Sequence, residues 1–520
     1  MRGPTAFWQA MEAARSETLR ERGLPAPQPG GDGLSRRQLI TALAATGIAA
    51  ALPRSARAAG PGPVAIIGGG IAGLTALWHL TRAGVDARLF EARTRTGGRM
   101  LTVRAKGAPA IELGGQLVNT EHADMHALCK AFGIALIDRK GGPHRTMILD
   151  GAAELPRDRL VEGLRGIAGQ IDADAQRLDK DYARVAAELD CLSFTGYLDK
   201  YARLMPDSWA RRLMEATART EYGVEPGQAS ALELVFNLPS VEGRRIDVLS
   251  RSDERYVVAG GSSALVDAMT RRLASRITTY RRLTRIDPRG GGARLTFSNA
   301  ETFDASYVIV STPASIMSRI AYGVPLLPLW RQFIGEVGLG LNGKVQSITA
   351  ARPWKKPIGR GGEIWQVDHA AGSSLGWDGA VRPAGGAGGV WTWFTGGSEV
   401  RAADLPDARA LATRWARLAE AGVPGMAAAM GRTVRSNWHD EPFTGGSYVN
   451  FRPGQLTKFA ELIWTEADGV ASVPLSSGPI YFAGEHLSDA YPGYMNGGAQ
   501  TGRLAAQAVI AARAPARRMG

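Results

Sequence analysis

The chain has 520 residues, 45% of them hydrophobic and 21% charged, a globular composition with enough apolar content for two or three domains. Its formal charge of +13 is carried mostly by scattered arginines, and without a dense basic block or a reading motif it points away from nucleic acid. No run is long and apolar enough for a convincing membrane span in the mature chain, and two cysteines, Cys129 and Cys191, are too few for a disulfide framework, although one bridge or two free thiols would both fit the count.

In chain order, the first feature is Arg36-Arg37 directly before an Ala-rich apolar run, Ile40 to Leu52, followed by Ala56-Arg57-Ala58. A charged region, a short apolar core and small residues at a peptidase site predict a removable export signal over residues 1–58. The paired arginines resemble the Tat type, which carries folded proteins, so a periplasmic location is expected.

Val64-Ala65-Ile66-Ile67 has the pattern of a buried strand and runs into Gly68-Gly69-Gly70-Ile71-Ala72-Gly73, then into an apolar helical stretch to about Ala83. This is GxGxxG in its required setting. Gly68 permits the tight turn, Gly70 admits a pyrophosphate, and Gly73 lets helix and strand pack closely. A second strand, Ala87 to Phe90, ends at Glu91, eighteen residues after Gly73, where a carboxylate suits ribose hydroxyls. Glu91-Ala92-Arg93 leads to Thr96-Gly97-Gly98-Arg99, a glycine pair with a guanidinium placed to meet a phosphate. Further on, His122 and His126 sit four apart on an expected helix, with no third ligand nearby, which favours a polar helix face over a metal site. Leu160, Leu164, Ile167 and Ile171 begin a helical periodicity that extends over 157–218. Strand-like runs follow at Gln346–Ala350 and Val390–Phe394, with a helix around Leu405–Ala421. Near the end, the strand Gly478 to Ala483 leads to Gly484-Glu485, and Tyr491-Pro492-Gly493-Tyr494-Met495 opens a final helix to about Ala512.

From about Pro61 to Ala512 the chain resembles the flavin monoamine oxidase family, with its glutathione-reductase-type FAD fold. Beyond the motifs above, the resemblance is carried by Glu112-Leu113-Gly114-Gly115-Gln116, Gly260-Gly261-Ser262-Ser263, Tyr307 to Pro313 and the stretch from Trp438 to Tyr448. It implies an α/β fold: a discontinuous Rossmann-like FAD-binding domain from 61–140, 251–320 and 476–514, and an α+β substrate domain with a helical lid from 141–250 and 321–475. It also implies FAD contacts from Ile71, Ala72, Ala92, Gly98, Arg99, Gly115, Gln116, Leu283, Trp438, Gly484, Glu485 and Met495, with Glu485 meeting the ribityl chain. Lys344 matches the lysine that holds a water against flavin N5, and Tyr448 and Tyr494 match two rings that form a cage before the flavin.

Ser447 stands where the animal monoamine oxidases carry the cysteine that binds flavin covalently, so the FAD is expected to be non-covalent. Gln116-Leu117-Val118-Asn119 lacks the arginine of L-amino-acid oxidases, and Glu121 is out of step with the acidic position of polyamine oxidases, which favours a neutral or singly charged amine. The expected activity is oxidation of an amine to an imine by hydride transfer to flavin N5, followed by hydrolysis. Dioxygen, giving hydrogen peroxide, or a periplasmic electron carrier would reoxidise the flavin, and a homodimer is compatible. Two rivals share the FAD fingerprints: a desaturase or porphyrinogen-type oxidase acting on carbon–carbon bonds, and a flavin-binding accessory protein without turnover.

Overall fold

The computed structural model describes residues 62–513, apart from 105–107, 141–144, 237–239, 243–244, 248–251, 356–361, 382–387, 405–406, 468–469, 473 and 475. The twin-arginine segment lies outside the described residues. Five short strands form one parallel sheet: Val64–Ile67 (β1), Ala87–Phe90 (β2), Ile277–Thr278 (β3), Tyr307–Val310 (β4) and Ile480–Phe482 (β5), in the order β3-β2-β1-β4-β5. Strands β1 and β4 are buried at every position, as a parallel strand covered on both faces requires.

The helix Ile71–Arg82 (α1) leaves β1 through the glycine turn and packs against the last helix, Met495–Arg513 (α2). Small residues set their spacing. A Cβ on Gly502 would lie 2.1 Å from the Ala72 carbonyl oxygen, so the two backbones are in contact. The first and last helices of the cofactor half are thereby locked together over β1.

A second, seven-stranded sheet runs in the order Met430–Arg435, Asn342–Thr349, Gly389–Gly396, Leu375–Asp378, Gly362–Gln366, Arg145–Asp150, Ala153–Glu154. Alternating residues of these strands feed two separate cores. Ile148, Trp365 and Trp377 join Leu164, Ile167 and Trp209 from the helical segment, while Met147, Ile364 and Trp391 join Trp354 and Trp415 in the other core.

The periodic stretch 157–218 is helical but broken into Arg157–Lys180, Tyr182–Asp190, Phe194–Lys200 and Ser208–Tyr222. Asp181 and Ser193 stop and restart it by accepting hydrogen bonds from the Arg184 and Gly196 amides. The strand expected from Gln346 starts four residues earlier, at Asn342, because eight consecutive residues pair with Gly389–Gly396 and override the poor strand propensity of Asn342-Gly343. The helix expected around 405–421 is Ala408–Leu418, started by Asp407. Cys129 is buried and Cys191 exposed, and both are free. No helix among the described residues is long and apolar enough to cross a membrane.

Candidate functional site

At the carboxyl end of β1 the chain turns at Gly68, with φ +106°, a conformation an L side chain rarely adopts. A Cβ on Gly73 would meet the Gly68 carbonyl oxygen at 2.0 Å, so the helix start lies hard against the strand end. Gly70 is different: a Cβ there would find nothing within 4 Å. Its backbone faces open space at the start of α1, which has neither a side-chain cap nor an acidic residue in its first turn. A positive helix end left uncapped beside open space fits a diphosphate. Glu91, at the end of β2, accepts from the Gly69 amide at 2.6 Å and from the Arg93 amide at 2.8 Å. The carboxylate read as a ribose acceptor therefore also ties the glycine turn to the second strand.

The cavity that begins at Gly70 has a volume of about 560 Å³, within the roughly 300–1,000 Å³ of ligand pockets. Gly68, Ile71, Ala72, Ala92, Gly98, Leu283, Gly484 and Met495 all line it, whereas Gly73 does not, being used for packing instead. Arg99 donates to the Glu485 carboxylate and to the Ser447 carbonyl, each at 2.7 Å. Burial would raise the Glu485 pKa, but Arg99, His486 and the Gly493 amide outweigh it and hold the carboxyl below its usual range. Trp438 donates its indole N–H to the Leu113 carbonyl at 2.8 Å, and Gly115 abuts the Met495 side chain.

At the far end stands Lys344. Its Nζ donates to the Gly114 carbonyl at 2.7 Å, to Gln116 Oε1 at 3.1 Å and to the Glu112 carbonyl at 3.2 Å. Behind it the fully buried Glu112 carboxylate accepts from Ser262 N, Ser262 Oγ and Thr102 Oγ1. Burial draws the Lys344 ammonium down to about 8, against the opposing charges of Glu112 and Glu254. Tyr448 and Tyr494 line the same cavity. Tyr448 OH donates to the Thr220 carbonyl, and Tyr494 OH lies 3.1 Å from Ser252 Oγ. His122 braces the second ring edge-on, with centroids 5.0 Å apart. His122 stands at the N-cap position of the helix Ala123–Ala131 and accepts from the Asn119 amide through Nδ1, while His126 Nε2 bonds the Asn119 carbonyl. Burial pushes both tyrosine pKa values well above the ordinary 10, so the rings stay neutral phenols.

The sequence reading passed over three cavity glutamates: Glu233, buried on the helix Ala231–Phe236, and two more. Glu221, near the end of the helix Ser208–Tyr222, and Glu254, two residues before the strand Tyr256–Val258, both face the cavity. Glu121 does not; it accepts from Asn119 instead. Glu254 holds φ +42°, which no sequence pattern signals. Glu221 follows the buried Ala218, Thr217 and Met214 by three, four and seven residues, so it sits on the inward stripe of its helix, where the cavity receives a carboxylate that an apolar core would not.

A parallel sheet with an open glycine turn, joined to a cavity ending in a lysine and two tyrosines, defines an oxidoreductase built around a dinucleotide cofactor. The model of the flavin containing amine oxidoreductase family matches residues 71–510, and the chain belongs to that family. A flavin-containing amine oxidase of Danio rerio is 26% identical over 471 residues, covering 86% of each chain. The fold matches cyclohexylamine oxidase from Brevibacterium oxydans with a TM-score of 0.73 at 20% identity, and a putrescine oxidase bound to putrescine with 0.69 at 23%; each covers 86% of this chain and 99% of the other. The cofactor is FAD, and the open cradle at Gly70 and the Arg99–Glu485 pair fit it.

Proposed function

We propose that the protein oxidises an amine at the carbon bearing nitrogen, giving an imine that water hydrolyses to a carbonyl compound and ammonia or a smaller amine. The observation that supports this most is the convergence of Tyr448, Tyr494 and Lys344 on one cavity whose other end is the Gly70 cradle. Bound FAD supplies the two-electron acceptor for the hydride lost from the substrate carbon, and dioxygen takes those electrons onward with two protons to give hydrogen peroxide.

The chain's own residues do the positioning. Two neutral phenol rings, fixed by Thr220 and Ser252, would flank the amine and offer it their π-faces. Leu375, Trp377 and Phe394 close the cavity with apolar surface and exclude water from the reacting carbon. Lys344 ties the Glu112–Gln116 segment to the strand Asn342–Thr349, spending its three donors on that segment and so fixing the cavity wall that Gly114, Gly115 and Gln116 form. The Ser447 hydroxyl lies within hydrogen-bond reach of the Gly340 carbonyl and Asn342 Oδ1, to either of which it can donate, and an alcohol there supports a non-covalently held flavin. Arg36-Arg37 and the apolar run after it support export through the Tat route to the periplasm; replacing both arginines with lysine should leave the protein in the cytoplasm, and undiminished export would refute that reading.

The test is anaerobic mixing of the yellow holoenzyme with a panel of amines. Bleaching of the flavin band, restored by air with one hydrogen peroxide per amine consumed, supports the reading. A protein that reoxidises only with an added electron carrier would replace dioxygen in the scheme, and one that no amine bleaches would sink it.

A further inference from the structure

We propose that Glu221 and Glu254 bind a second, cationic nitrogen of the substrate, so that one end of an aliphatic diamine is oxidised while the other is held as an ammonium. This rests on the amine oxidation proposed above and narrows its substrate class.

The placement is specific. Tyr448 OH is anchored on the carbonyl of Thr220, the residue before Glu221, and Tyr494 OH on Ser252, two residues before Glu254. Each glutamate is thus tied in sequence to the group that fixes one phenol, and both line the cavity close enough to the two hydroxyls to act on them electrostatically.

The other cavity glutamates with a clear role in the fold are satisfied. Glu91 accepts from the Gly69 and Arg93 amides, and Glu485 has Arg99 and the Gly493 amide. Glu254, by contrast, has no hydrogen bond or ion pair to its carboxylate among the described residues. Its backbone is held by Asn119 and Arg139, and Arg139 donates to its carbonyl rather than to its side chain. Among the described residues Glu221 has only the neighbouring Thr220 hydroxyl. Lys344, which lines the same cavity, has already used its three donors, and Arg99 is committed to Glu485 and the Ser447 carbonyl. Both carboxylates are part-buried on the cavity wall, and two acidic groups sharing one space with so few donors call for a cation that arrives with the ligand.

The surrounding charges agree. Burial pushes Glu221 up to about 8, with Glu254 and Glu363 adding repulsion. Glu254 is raised by burial, then by Glu363 and Asp253, against Lys140 and Arg139. Near neutral pH the empty pair therefore retains a proton, and an incoming ammonium releases it while donating up to three hydrogen bonds to the two carboxylates. Leu375, Trp377 and Phe394 offer an apolar wall suited to a methylene spacer, whereas an α-carboxylate would be repelled. The substrate expected from sequence, a neutral or singly charged amine, would leave both carboxylates unmatched.

The test compares the holoenzyme on α,ω-diaminoalkanes and on n-alkylamines of the same chain length, followed by anaerobic flavin bleaching, with Glu221→Gln and Glu254→Gln variants alongside. The wild type should favour the best diamine by about 100-fold in kcat/KM, and the double variant should lose most of that ratio through KM. As a readout independent of the variants' folding, diamine binding to the dithionite-reduced wild type at pH 7 should release protons to a pH indicator. Equal turnover of both series, or a preference that survives both substitutions without proton release, overturns the proposal and leaves amine oxidation standing. Silence toward every amine overturns both.

Discussion

Arg99 Nη1 lies 2.7 Å from Glu485 Oε1, pairing two residues 386 positions apart in the chain. The carboxylate is almost wholly buried, so removing its partner strands a charge. Arg99→Leu should destabilise the holoenzyme by about 3–5 kcal/mol. The double variant Arg99→Leu/Glu485→Gln should recover part of that loss in thermal unfolding, yet still shed FAD on desalting. Identical melting of single and double variants would show that the pair is not coupled.

Gly70 and Gly73 should fail in different ways. Gly73→Ala forces a carbon to 2.0 Å from a backbone oxygen and should prevent folding, seen as lost circular dichroism or insoluble protein. Gly70→Ala meets no protein atom within 4 Å, so the chain should fold normally and lose flavin, read as FAD bound per chain. A fully yellow Gly70→Ala protein would remove the cradle from this position.

Substituting either cage ring should spare the cofactor and impair turnover. Tyr448→Ala and Tyr494→Ala should each lower kcat/KM by about 10- to 100-fold with flavin content unchanged, while the phenylalanine variants, which keep the π-face, should lose less. Unaltered kinetics in both alanine variants would dismiss the cage.

The Glu221 carboxyl predicts a pH dependence whose sign is fixed by linkage. Its pKa is raised from 4.5 to about 8 in the folded protein, so the folded state binds the extra proton between those values. Its contribution is fully present below 4.5 and is lost as pH rises through 8, with a slope of at most about 1.4 kcal/mol per pH unit. Substrate-free wild type should therefore melt lower at pH 8 than at pH 5.5 by a margin that Glu221→Gln reduces. A variant with the same pH profile as wild type would contradict the assignment.

Ser447 offers no thiol to the flavin. Acid precipitation should leave the yellow colour in the supernatant, and a coloured pellet would point to a covalent bond from elsewhere.

The fold class was legible because β1, the glycine turn, α1 and β2 are local patterns, each confined to a few consecutive residues with its own physical reason. The strand carrying Lys344 was misjudged at its start because Asn342-Gly343 becomes a strand only through its partner at 395–396. Glu221 and Glu254 were invisible for a related reason. A carboxylate near a helix end and another before a strand look like solvent-facing residues until the tertiary packing folds them around the same space. The reading of Glu91 was incomplete in the same sense, since its bond to the Gly69 amide spans 22 positions and is set by sheet register.

The parallel sheet takes its strands from residues 64–67, 87–90, 277–278, 307–310 and 480–482, and α2 must still return to α1. A ribosome therefore has to deliver the chain through α2 before the flavin pocket exists at all. Cofactor capture is a post-translational event, and a fragment ending anywhere before residue 480 should neither turn yellow nor hold the shape of its own N-terminal half.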